Sequence, residues 1–240
     1  MDEKTEKALA DFAEMMKGLY GEELLSLDLY GEAAAGEQVG SHRPIKLLAV
    51  MSQVGPSQLK RYAGVNPKWF KKGLPAPLMI TLDTLESSTD VFPIEFFEMK
   101  ESYRLLHGRD VLAGLEISHE NLRRQCEEQI KGKFIHLRQG YIEAFGDKKA
   151  LSHLIAASIE PFTQVMRNIL RLKGKGAPVK KDSIIKEFCR EASLDEAPFM
   201  GALAIRREGL TPSAEELDRL FAAYLTEVGK LAEVIDKMAM

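Results

Sequence analysis

Apolar side chains recur at helical spacing from the beginning of the chain. Leu9, Phe12, Met15, Met16 and Leu19 share one face, which predicts a helix over about residues 5–20, stopped at Gly21. Two apolar runs follow, 24–30 and 45–51, both of strand length. The stretch between them, 36–43, contains Gly, Ser and His and reads as a loop. A helix is expected over 56–72, broken near Asn66-Pro67 because proline disfavours helix at the residue before it. Residues 77–82 read as a third short strand, with Asp83 or Thr84 able to cap a turn after it. Residues 92–99 form a fourth apolar run, interrupted by Glu95 and Glu98, and 100–107 reads as a helix ending at Gly108. Strands alternating with helices up to about residue 110 indicate an α/β unit.

Beyond Gly114 the period is helical throughout. Ser118 can cap a long helix to about Phe145, with Leu122, Cys126, Ile130, Phe134, Leu137 and Tyr141 on one face. Gly146-Asp147 separates it from a helix over 148–172, which Pro161 should kink or restart because it lacks a donor N–H. A Gly/Lys/Pro linker covers 173–178. Two shorter helices are expected over 183–191 and 196–207, the second preceded by Ser193-x-x-Glu196 as a capping box. Thr211-Pro212 reads as a cap with proline at the first helical position, opening a last helix through Leu217, Phe221, Tyr224, Val228, Leu231 and Ile235.

Composition adds limits. The chain has 240 residues, 45% of them hydrophobic, enough for one large or two small cored domains. A charged fraction of 29% and a net charge of −3 are ordinary for a soluble protein and give no global argument for nucleic acid as a partner, which leaves only a local basic patch to supply one; nucleic acid is not expected. No run approaches the roughly 18 apolar residues of a membrane span. The charged start Met1-Asp2-Glu3-Lys4 does not read as a signal peptide. Cys126 and Cys189 are far apart and sit at apolar positions, so reduced thiols and a cytoplasmic location are expected.

The most informative stretch is Leu29-Tyr30-Gly31-Glu32-Ala33-Ala34-Ala35-Gly36-Glu37, followed by Pro44-Ile45-Lys46-Leu47-Leu48-Ala49-Val50. This strand, small-residue turn and second strand resemble the signature of the nucleotidyltransferase superfamily of polymerase-beta fold. In that family the first segment reads Leu-Tyr-Gly-Ser, and two aspartates one residue apart open the second strand. Here the serine position is Glu32, and the aspartate positions fall on Pro44 and Lys46. Ile94-Glu95-Phe96-Phe97 is similar to the later strand that carries the family's third carboxylate, which makes Glu95 its remnant.

The resemblance implies a fold and weakens the ancestral chemistry. It implies an α+β or α/β chain: a nucleotidyltransferase-like mixed sheet with flanking helices over 1–114, then an all-α helical bundle over 115–240. Such bundles resemble those that follow nucleotidyltransferase domains in antibiotic-modifying and toxin–antitoxin-type relatives. The family's two-metal reaction needs hard oxygen ligands for Mg²⁺. Glu32 would repel a triphosphate, Pro44 offers no ligand, and Lys46 puts a cation at a metal position. Lys46 could take over the metal's charge by pairing with Glu95 or Glu32.

The expectation is therefore a bacterial-type, inactive nucleotidyltransferase with no catalytic residue assigned. It would bind a small ligand or a protein partner through Gly31, Glu32, Gly36, Lys46 and Glu95, and no cofactor is expected. Two alternatives stand beside it. One is an active, Mg-dependent enzyme transferring NMP to a small molecule or protein, its site rearranged around Glu95, Glu98 or Asp90. The other is an antitoxin-like or scaffold module, with a homodimer as one form.

Other candidates carry weaker signals. The cations Arg167, Arg171, Lys173, Lys175, Lys180 and Lys181 read as a solvated helix end and linker rather than a phosphate site. Arg124, Lys131 and Arg138 read as a salt-bridged face. His42, His107, His119, His136 and His153 have no partner at metal-ligand spacing. Trp69 reads as a packing residue.

Overall fold

The computed structural model describes residues 1–35, 45–175, 178, 180–210 and 212–238. The chain forms two compact units, Met1–Ser118 and His119–Met240. Among the described residues no helix is long and apolar enough to cross a membrane.

In the first unit α1 (Glu3–Tyr20) forms as the apolar period predicts. Asp2 caps it by accepting from Thr5 N at 2.7 Å, Glu3 and Glu6 favour its positive end, and Gly21 at φ 54° terminates it. Four strands follow: β1 (Leu24–Tyr30), β2 (Lys46–Met51), β3 (Leu78–Thr81) and β4 (Tyr103–Gly108). The sheet order is β3-β2-β1-β4, with β1 antiparallel to β2 and β4, and β2 parallel to β3. Alternation along β1 and β2 gives the sheet two layers. Leu27, Leu29, Leu47, Ala49 and Met51 pack with Phe12 and Met16 of α1, and with Tyr62 and Trp69 of α2 (Pro56–Phe70). Leu48 and Val50 face the other way. They meet Leu85 of α3 (Leu82–Ser87), Phe96 and Met99 of α4 (Pro93–Glu101), and Leu112 and Leu115. Trp69 is a packing residue, its ring edge-on to Phe12 at 5.2 Å.

Two expectations here are corrected. The run 92–99 is not a strand, and 100–107 is not a helix: α4 occupies Pro93–Glu101 and β4 Tyr103–Gly108. Pro93 presets φ for the first helical turn, and helix geometry buries Ile94, Phe96 and Met99 together. The edge of β1 then recruits Tyr103–Gly108 by backbone pairing, with a bulge opposite Leu27/Asp28. Gly108 makes the crossing possible. Its φ is 88°, and a Cβ there would stand 2.2 Å from the Leu25 carbonyl oxygen. The helix over 56–70 also continues through Pro67, because only one turn remains beyond it and buried Trp69 anchors that turn.

The second unit holds α5 (His119–Glu143), α6 (Lys148–Leu172), α7 (Lys181–Ala192), α8 (Ala197–Glu208) and α9 (Ala214–Asp236). The hub is α6, which touches each of the other four. It stays one helix across Pro161, held by buried Ile155, Ile159, Phe162, Val165 and Met166 on both sides of the missing donor. Two caps differ from expectation. Ser193 is left-handed at φ 55° and closes α7, so it is not the cap of α8; Asp195 accepts from Ala197 N at 2.9 Å instead. The last helix is capped by Ser213 with Glu216 as a capping box, so Pro212 lies outside it, and Thr211 lies outside the described residues. Both thiols, Cys126 and Cys189, are free and buried, and burial pushes each up to about 12.

Candidate functional site

The candidate residues at the end of β1 come together in part. Tyr30 ends the strand, and Gly31 turns the chain at φ 76°, a conformation that disfavours any side chain. The Gly31 N–H donates to the Ser102 carbonyl at 2.8 Å, which fixes the turn against the end of α4. Ala34 and Ala35 donate back to the Gly31 carbonyl, so the turn is a single 3₁₀ turn over Gly31–Ala33. Glu32 is exposed on it. Lys46 opens β2 directly opposite Tyr30. Its Cδ lies 3.7 Å from the position of a Cβ on Gly31, and its ammonium stands 5.9 Å from the Tyr30 ring centroid. Gly31, Tyr30 and Lys46 are thus one cluster. Gly36, His42 and Pro44 lie outside the described residues.

Glu95 is not on a strand. It is exposed in the first turn of α4, a helix that packs against the Gly31–Ala33 turn. Its place in a strand motif is therefore corrected, for the reason that moved α4. The strand beside β2 on the far side from β1 is β3, Leu78-Met79-Ile80-Thr81, which carries no carboxylate.

Among the four strands the one acidic residue is Asp28, which sequence reasoning passed over. It is fully buried in the middle of β1. Ser26, also buried, donates to its Oδ2 at 2.6 Å, and its Oδ1 has no hydrogen-bond partner among the described residues. Burial raises the Asp28 carboxyl from 3.8 to about 6. The Ser26 bond opposes that rise, and the charge of Asp110 adds to it. Asp110 in turn accepts from the Tyr103 hydroxyl, 2.8 and 2.9 Å to its two oxygens, and from Ala113 N at 3.0 Å. Burial and these bonds to Asp110 push Tyr103 up to about 12. The available signal was the alternation Leu25-Ser26-Leu27-Asp28-Leu29, which places a charge on a face that the strand must bury.

Several of the remaining cations have structural partners. Arg171 is buried and donates to Asn168 at 2.7 Å, Lys175 pairs with Glu191 at 3.0 Å, and Lys181 pairs with Glu160 at 2.6 Å. Lys131 bridges Glu127 and Asp236, and Arg138 stacks over Phe134 at 4.0 Å. Among the described residues no three histidine, cysteine or carboxylate side chains converge as a metal site would need.

A mixed sheet of this order, flanked by helices and followed by an all-α unit, defines a nucleotidyltransferase-like fold. A solved structure of the same fold is spectinomycin adenyltransferase from Enterococcus faecialis, with ATP and spectinomycin; it superposes with a TM-score of 0.56 at 11% identity, over 93% of this chain and 98% of that one. No family model matches this chain. No curated protein matches it in sequence.

Proposed function

We propose that this chain is a nucleotidyltransferase-like protein that does not transfer nucleotides and instead binds a small ligand or a protein partner. The observation that carries this reading is Lys46. It brings an ammonium, packed beside Gly31 and Tyr30, to a position where the resemblance calls for a metal-binding aspartate. An ammonium cannot ligate Mg²⁺, which takes hard oxygen donors. The neighbouring strand β3 supplies no carboxylate in compensation. Glu32 on the turn adds an anion where a triphosphate would have to approach.

Titration of ATP and other nucleotides with and without Mg²⁺, with pyrophosphate release followed in parallel, tests this reading. The expected result is no release, with any binding independent of Mg²⁺. Mg²⁺-dependent binding with release would overturn it. That outcome would favour the second reading, Mg-dependent NMP transfer through a set that includes Glu95, Glu98 or Asp90. The double substitution Pro44→Asp with Lys46→Asp restores the acidic pattern. Calorimetry should then show Mg²⁺ binding that the parent lacks.

A further inference from the structure

The layer over the second face of the sheet contains an unusual joint. Residues 109–117 add Leu112 and Leu115 to the core over this face and are held at three points. Arg109 N donates to the Leu25 carbonyl at 3.0 Å, Asp110 accepts from Tyr103 and Ala113, and Lys100 donates to the Leu115 carbonyl at 2.6 Å. Leu112 and Leu115 are buried beneath. Within the same layer lies Asp28, with one carboxylate oxygen bonded to Ser26 and the other without a partner. On β4, Leu105 lies directly opposite Asp28 and Tyr103 opposite Tyr30, two residues along the same face, so the Tyr103–Asp110 anchor is the cross-strand neighbour of the buried acid. The charge of Asp110 disfavours ionisation of Asp28 in keeping with that placement.

We propose that Asp28, Tyr103 and Asp110 form a proton-operated latch: with Asp28 protonated, residues 109–117 are held over the sheet, and loss of that proton to water loosens them. A protonated Asp28 is neutral and tolerates its apolar surroundings. Ionised, it sits desolvated, and the charge of Asp110 adds to the penalty. Local opening of the covering segment hydrates Asp28 and separates the two charges. In the open state its pKa returns toward the ordinary 3.8, against about 6 when covered. Opening is therefore favoured as pH rises through that window. The loosened segment forms one wall of an open pocket of about 490 Å³, lined by Leu82, Arg109, Asp110, Val111 and Leu115 among others. The latch thus changes the shape of that pocket's wall.

Other charges around Asp28 do not replace this pair. From the helices over this face, α3 contributes Leu85 to the layer and α4 contributes Phe96 and Met99. Asp83, Glu86, Glu95, Lys100 and Glu101 on those helices are exposed, and Glu98 is half-buried. Lys46 is exposed at the start of β2, next to Tyr30. His107 pairs in register with Leu27, and Arg104 with Leu29, so both belong to the opposite face.

Hydrogen exchange of peptides covering 109–117, corrected for intrinsic rates, tests the latch in the full chain. Protection should fall about tenfold between about pH 5 and about pH 7.5, as a two-unit pKa difference allows. Asp28→Asn should remove that dependence. Unchanged protection in the parent, or an equal loss in Asp28→Asn, overturns the proposal. Should that variant not fold, NMR of the parent decides. The Ala113 amide must titrate with the midpoint of the Asp28 carboxyl carbon, and an Ala113 signal that stays still at that midpoint overturns the latch.

Discussion

The two faces of the sheet are built from the same strands and are not alike. The face toward α1 and α2 is dry: Leu27, Leu29, Leu47, Ala49 and Met51 meet Phe12, Met16 and Trp69, and their contribution is hydrophobic. The face toward α3 and α4 carries Leu48 and Val50 as well, but β1 turns Ser26 and Asp28 into it. Alternation alone produces the difference, because successive residues of one strand serve opposite layers. Both faces bury apolar side chains, but only the second also stores a carboxyl whose charge is penalised by the fold.

Four substitutions separate these roles, from the largest expected effect down. Phe12→Ala empties a fully buried ring site packed against Tyr62 and Trp69 and should cost about 3–5 kcal/mol by urea unfolding. A loss below about 1 kcal/mol would show that the dry face is not the main support. Gly108→Ala places a Cβ against the Leu25 carbonyl at positive φ and should cost roughly 2–3 kcal/mol, read as a lower midpoint and weaker exchange protection in β4.

Asp28→Asn should act in the opposite direction, and only at higher pH. The folded-state pKa is raised, so the penalty is absent below 3.8, grows as pH rises and is complete above about 6. At about pH 7.5 the variant should gain about 1–3 kcal/mol, and at about pH 4 close to nothing. An equal gain at both values would mean that the carboxyl is not protonated by its surroundings. Tyr103→Phe removes one hydroxyl from Asp110 and should cost only about 0.5–1.5 kcal/mol, since both partners reach solvent. A larger loss would place more of the second face's stability in that bond.

Strong local periods were legible in the chain: α1, β1, β2 and the long helices lie where their apolar spacing puts them. The segment 92–108 was not. Ile94-Glu95-Phe96-Phe97 satisfies a strand pattern and a helix pattern equally well at that length. The open edge of β1 decided the matter by pairing with Tyr103–Gly108, with Asp28 opposite Leu105, far along the chain. The site was legible to the same extent. Gly31, Tyr30 and Lys46 are joined by adjacent strands, so their neighbourhood follows from two local motifs. Glu95 left the strand set when its segment became helical, and Asp28 emerged only once both layers were in place.

By itself the sequence determined which residues must be buried and the type of each strongly periodic element, because helix and strand period are local properties of the backbone. It also determined the charge pattern around Gly31, with a glutamate and a lysine beside the turn. Tertiary structure alone decided the fourth strand and the meaning of Asp28, whereas the Ser213-x-x-Glu216 cap was a local signal present in the chain. A carboxyl's protonation depends on desolvation and on neighbours distant in the chain, and neither exists until the sheet is covered on both faces.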